Sequence, residues 1–98
     1  MTAFVQLVEI TTSRFDEMQK FNEEWREQNP DRLLGWSIIG ADRDTPGKYV
    51  AIVHFESYEV AMQNSNDPRT AEFAARMEEL SDAPATFRNL DVVVSEGI

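Results

Sequence analysis

Runs of strand-forming and helix-forming residues follow one another in the order β-α-β-β-α-β, and no other feature of this chain restricts its fold as much. Phe4 to Ile10 is rich in β-branched and aromatic residues and contains no breaker, which reads as a strand. Ser13 then stands as an N-cap, with Asp16 and Glu17 in the first turn. Phe15, Met18, Phe21 and Trp25 recur at helical spacing until Pro30 stops the helix near Gln28 and Asn29. Leu33 to Gly40 reads as a second strand and Lys48 to Phe55 as a third, joined as a hairpin by the polar turn Asp42 to Gly47. Ser57 caps a second helix that breaks at Asn64 to Pro68 and restarts with Asp67 as cap and Pro68 in the first turn. Thr70, Phe73, Ala74, Met77 and Leu80 form its apolar stripe, and Ala83-Pro84 ends it. Thr86 to Val94 reads as the fourth strand, with Val92, Val93 and Val94 at its heart. This order predicts an α+β, ferredoxin-like βαββαβ domain over residues 1–98, with a four-stranded antiparallel sheet and both helices on one face.

The strands do not alternate as a sheet covered on one side should. In the first, Val5 and Leu7 point one way and Phe4, Val8 and Ile10 the other; in the third, Val50 and Ile52 oppose Tyr49, Ala51, Val53 and Phe55. Two helices cover one face, and the other would be an apolar patch larger than soluble monomers tolerate. A second copy packed sheet to sheet resolves this, giving a two-fold homodimer in which Val53→Glu should break the interface. The plainer reading of the same pattern is ordinary strand propensity.

Composition removes several functions. The chain has 98 residues, no cysteine and one histidine, His54, so disulfides, thiolate metal sites and a cysteine nucleophile are excluded. Its 18 acidic and 9 basic residues give a net charge of -9, which works against nucleic acid and anionic membrane surfaces. No apolar run approaches the ~20 residues that span a bilayer. The start, Met1-Thr2-Ala3-Phe4, lacks the pattern of a signal peptide, so a cytoplasmic location is expected. No phosphate loop, nucleophile elbow or metal-ligand spacing is present.

The run His54-Phe55-Glu56-Ser57-Tyr58-Glu59-Val60-Ala61-Met62, closing a strand and opening a helix, resembles the His-Trp-Glu-Ser-x-Glu-Ala stretch of the dimeric α/β-barrel proteins. More narrowly it is similar to the antibiotic biosynthesis monooxygenase family, which includes small haem-degrading oxygenases. Gln6 to Ile10, the Gly35-Trp36 pair, Pro68 and Phe73 fit as well, so the likeness spans nearly the whole chain. It implies two subunits joined into a dimeric α/β barrel, and a family in which some members oxidise electron-rich aromatic polyketides without metal or flavin. Haem-degrading relatives use a strand-one Asn, a Trp ending strand three and a helix-two His that binds iron; Gln6, Phe55 and Phe73 fall at those places. Phenylalanine cannot ligate iron, so no cofactor is expected. Two functions stay open: a cofactor-independent monooxygenase acting on a small aromatic molecule, and a non-catalytic ligand-binding or accessory homodimer.

The expected site is a cavity between the sheet and the second helix, opening near Trp36 and helix one. Gln6 would orient a carbonyl or phenol there, Trp36, Phe55 and Phe73 would wall a flat ligand, and Asn89 would add a polar point. Asp91 is the candidate base. The plainer alternatives are an interface glutamine, core aromatics and a solvated strand-end aspartate. With Phe55 toward the cavity, strand parity sends His54, Leu90, Val92 and Val94 to the opposite side of the sheet, taken here as the helix side, with His54 as a hydrogen-bonded structural residue. The sequence does not name the substrate.

Overall fold

In the computed structural model, which describes residues 2–31 and 35–97, the elements are β1 (Phe4–Thr11), α1 (Phe15–Gln28), β2 (Trp36–Ala41), β3 (Lys48–Phe55), α2 (Tyr58–Ser65), α3 (Pro68–Glu79) and β4 (Thr86–Asp91). The four strands make one antiparallel sheet in the order β2-β3-β1-β4. Each helical crossover therefore skips a strand, α1 leading from β1 past β3 to β2, and the α2–α3 pair from β3 past β1 to β4. This is the split arrangement expected from the element order.

Local chemistry fixes these boundaries. The hairpin loop between β2 and β3 is held by Asp42 Oδ1, which accepts from the backbone N–H groups of Asp44 (2.9 Å) and Thr45 (3.2 Å). Gly47 ends it with φ +84°, a conformation that favours glycine. Ser57 caps α2 by accepting from Val60 N–H, and Asp67 caps α3 by accepting from Arg69 N–H, with Pro68 in the first turn. Gly35 is needed for close approach, because a Cβ there would lie 2.8 Å from the carbonyl oxygen of His54.

Two expectations about the elements are corrected, and a third falls partly outside the described residues. Ser13 does not cap α1: its hydroxyl donates to Asp82 Oδ1, and Thr12 Oγ1 instead accepts from Arg14 N–H at 2.9 Å. The first part of the expected second strand, Leu33 and Leu34, lies outside the described residues, and β2 begins at Trp36. β4 ends at Asp91, so the valine run is not its heart; Val92 still donates to Ala3 O, but Val93 and Val94 are exposed. The ladder between β1 and β4 ends at the Phe4–Asp91 pair, and only the bond from Val92 to Ala3 extends it.

The core has two parts. Ile10, Met18, Ala51 and Leu80 form one, and Phe4, Phe55 and Ala61 the other. Thr12 ties the first together: its buried hydroxyl donates to the Leu80 carbonyl at 2.6 Å, joining the end of β1 to the end of α3. Thr12→Val keeps the shape but strands that carbonyl, which costs roughly 1–3 kcal/mol. A thermal midpoint unchanged from wild type would contradict this.

Candidate functional site

The helices do not close down on the sheet. Between them lies a cavity of about 570 Å³. Its floor is one face of the sheet, from Phe4, Gln6, Val8, Val53, Phe55 and Phe87. Its roof comes from Met18, Asn22 and Arg26 of α1 and from Met62, Phe73 and Met77 of α2 and α3. Because side chains alternate along strands, the residues between these floor positions point the other way. Val5, Leu7, Trp36, Ile38, Ile52 and Leu90 therefore share the face that carries no helix, with Ile38 57% exposed and Trp36 40% exposed. The doubly apolar pattern in the strands is thus a ligand-sized cavity on one side and an uncovered apolar surface on the other.

That geometry sorts the predicted site residues. Gln6, Phe55 and Phe73 do line the cavity. Phe55 is buried and leans on Phe4, ring centroids 6.3 Å apart. Phe73 is held under α1 by Phe21 at 5.6 Å and Trp25 at 4.9 Å, so it serves both core and wall. Asn89 stands opposite Gln6 in the register, and Gln6 Nε2 donates to Asn89 Oδ1 at 3.1 Å. Asn89 itself, expected as a polar point of the cavity, is not among the lining residues; it holds the Gln6 amide from beside the floor, where Ser37 is a second polar group.

Other expectations fail on parity. Trp36 does not wall the cavity with Phe55; it lies on the opposite face, where its ring stacks on His54 at 4.8 Å and 14°. His54 is on that uncovered face and not the helix side, and its Nδ1 is buried without a hydrogen-bond partner. Leu90 shares the uncovered face, whereas Val53 points into the cavity, so Val53→Glu is no probe of a sheet-to-sheet interface. The parities themselves were right; the error was to place the helices over the wrong set. Asp91 pairs with Phe4 at the end of β4, on the cavity's side of the sheet, but it is exposed and is not a lining residue. The carboxylate that does line the cavity is Glu78 of α3.

The expected site did not include Met18, Asn22 and Arg26 of α1, of which only Met18 was read, as part of the helix's apolar stripe. Their four-residue spacing, which stacks them along one stripe of a helix, was the available signal. Arg26 Nη2 donates to Ser37 Oγ at 3.1 Å and so bridges α1 to β2 at the cavity's edge. Just beyond the same end of α1, Arg69 binds Asp67, Asp31 and Asn29 and ties the loop after α1 to the start of α3. Hydrogen bonding from Arg69 holds the Asp31 carboxyl below its usual range.

The donor set does not suit haem. Phe73, which the resemblance puts at the place of an iron-binding histidine, lines the cavity with no atom that can ligate iron, and His54 lies across the sheet. No group of three His, Asp or Glu able to hold a metal occurs among the described residues. Among them, too, no helix is long and apolar enough to cross a membrane.

The sequence matches no protein-family model and no curated protein. Solved structures do match. A protein of Caulobacter crescentus, provisionally named an antibiotic biosynthesis monooxygenase, aligns with TM-score 0.80 at 10% identity over 95% of this chain and 92% of its own. The cofactor-independent oxygenase SnoaB of Streptomyces nogalater aligns with TM-score 0.75 at 13% identity over 99% and 97%. A conserved protein of Methanosarcina mazei aligns with TM-score 0.77 at 10% identity over 92% of each chain. The resemblance seen in the sequence is therefore shown as a likeness of fold: this is the ferredoxin-like α+β fold of antibiotic biosynthesis monooxygenase-like proteins.

Proposed function

We propose that the protein is a homodimer that binds a small flat aromatic molecule between its sheet and helices and oxidises it as a cofactor-independent monooxygenase. The observation that carries this reading is the apolar cavity of about 570 Å³ with the Gln6 amide on its floor, held from beside the cavity by Asn89. Apolar walls supply affinity, and a few placed polar groups fix orientation. The fold it shares with a cofactor-independent oxygenase supports the choice of chemistry.

Such a reaction begins with loss of a proton from an electron-rich phenol or anthrone, whose anion then reduces O₂. For an anthrone, the methylene between the rings becomes a carbonyl, one oxygen atom enters that carbonyl and the other leaves as water. Gln6 donates the second hydrogen of its Nε2 to the substrate oxygen and favours its anion, as donors aimed at developing charge do, while Asn89 fixes that amide by accepting the first. Asp91, at the rim of the same sheet face, takes the proton.

The uncovered face supports the dimer. Its centre, around Ile38, Ile52 and Leu7, carries no charge, while Glu9, Lys48 and Arg88 stand toward its margins. A two-fold pairing sets this face on itself and lets acidic and basic margins meet.

A non-catalytic binder of the same fold is the second reading, favoured by the position of Asp91 outside the cavity lining. Oxygen uptake separates the two. With an anthrone and protein treated with chelator, one O₂ should be consumed per anthrone, and Gln6→Ala should slow turnover about tenfold, the worth of one hydrogen bond to a charged group. Binding of the anthrone with no uptake above the uncatalysed rate would establish the second reading.

A further inference from the structure

Resting on that reading of the cavity, we infer that its natural ligand carries an anionic group, held at the cavity mouth by Arg26. Arg26 is the one cation lining the cavity among the described residues. It also lines a second hollow, with Phe15, Gln19 and Glu23, and the two hollows share Asn22, Arg26, Ser37 and Ile39. The guanidinium thus stands where an aromatic body inside the cavity would give way to a polar end directed outward between α1 and β2.

Its surroundings single it out further. The chain has twice as many acids as bases, and three other arginines are paired with carboxylates: Arg14 with Glu17, Arg69 with Asp31 and Asp67, and Arg76 with Glu79. Arg26 has no ion-pair partner among the described residues; its hydrogen bond runs to the neutral hydroxyl of Ser37. Two acids line the hollows with it, Glu23 in the outer and Glu78 in the inner, and neither is paired with it. A guanidinium offers five donors in a planar fork. One bond to Ser37 leaves donors for a carboxylate, which the fork grips in bidentate fashion. Ser37 Oγ–H and Asn22 Nδ2–H add neutral donors on the same rim.

The test compares 2-naphthoate with 2-naphthamide, which match in shape and differ in charge. Calorimetric titration of the dimer at neutral pH and low salt should show naphthoate binding roughly tenfold or more tighter, the range expected of a charge-assisted hydrogen bond. The protein's net charge of -9 opposes this preference, so a local cation must cause it. In Arg26→Gln the advantage of naphthoate should vanish, while naphthamide affinity stays unchanged. Equal binding of the two compounds by wild type, or a preference that survives in Arg26→Gln, would overturn the inference while leaving the cavity reading intact. Binding of neither would overturn both.

Discussion

Ile52→Glu should turn the proposed dimer into a monomer. Ile52 lies on an interior strand, between Leu7 of β1 and Ile38 of β2, at the middle of the face that no helix covers. In the dimer a carboxylate there has no water. Its cheapest escape is to stay protonated, which at neutral pH costs about 4 kcal/mol per copy, and the two-fold axis doubles the cost. The dissociation constant should rise by at least ~10³-fold even if half of that is recovered by local rearrangement. In the monomer the same face is open to solvent, so the subunit itself stays folded. Sedimentation velocity at micromolar concentration reads the outcome. A variant that still sediments as a dimer would show that the sheet faces do not meet.

The neighbouring change, Val53→Glu, should do the opposite. Val53 points into the cavity beside Phe55. The charge enters the hollow on the helix side and not the sheet-to-sheet face, so the dimer persists and the stability loss is moderate. An aromatic ligand, however, would have to bury that carboxylate, and its affinity should fall by at least ~10²-fold, equivalent to about 3 kcal/mol. Calorimetry with 2-naphthamide reads this without interference from charge on the ligand. Retained affinity would mean that the ligand sits elsewhere. Two adjacent residues with exchanged phenotypes, one losing the dimer and the other the ligand, follow directly from alternation along β3.

That alternation was legible in the sequence, and so was the order of elements. The ends of β3, the Ser57 cap and the break at Pro68 are local events, set by residues within a few positions of each other, and they stand as read. What was not legible is which side of the sheet the helices take. Phe4, Val8 and Val53 are no more apolar than Val5, Leu7 and Ile52, so hydrophobicity alone gives two equivalent answers. The polar residues break the tie only in hindsight. Gln6 and Ser37 sit on the helix side because Asn89 and Arg26 meet them there. Those partners are 83 and 11 residues away in the chain. His54 and Trp36 were misplaced for the same reason, although their mutual stacking follows from the β2–β3 register once the sheet is known. The extent of β4 depended on how far β1 continues to offer a partner, which valine content cannot reveal. Of the cavity lining, Gln6, Phe55 and Phe73 were legible, whereas Trp36 was misplaced and Arg26 was not seen, because its place depends on α1 standing over Ser37.

The cavity is the central claim, and methyl NMR of the wild-type protein tests it most directly. On titration with 2-naphthamide, the methyl signals of Val8, Ile10, Met62, Val53 and Ile39 should shift through ring currents, together with the side-chain amide protons of Gln6 and Asn89. Those of Val5, Leu7, Ile38, Ile52 and Leu90 should stay in place. Shifts confined to the second set would put the ligand on the uncovered face and contradict the account.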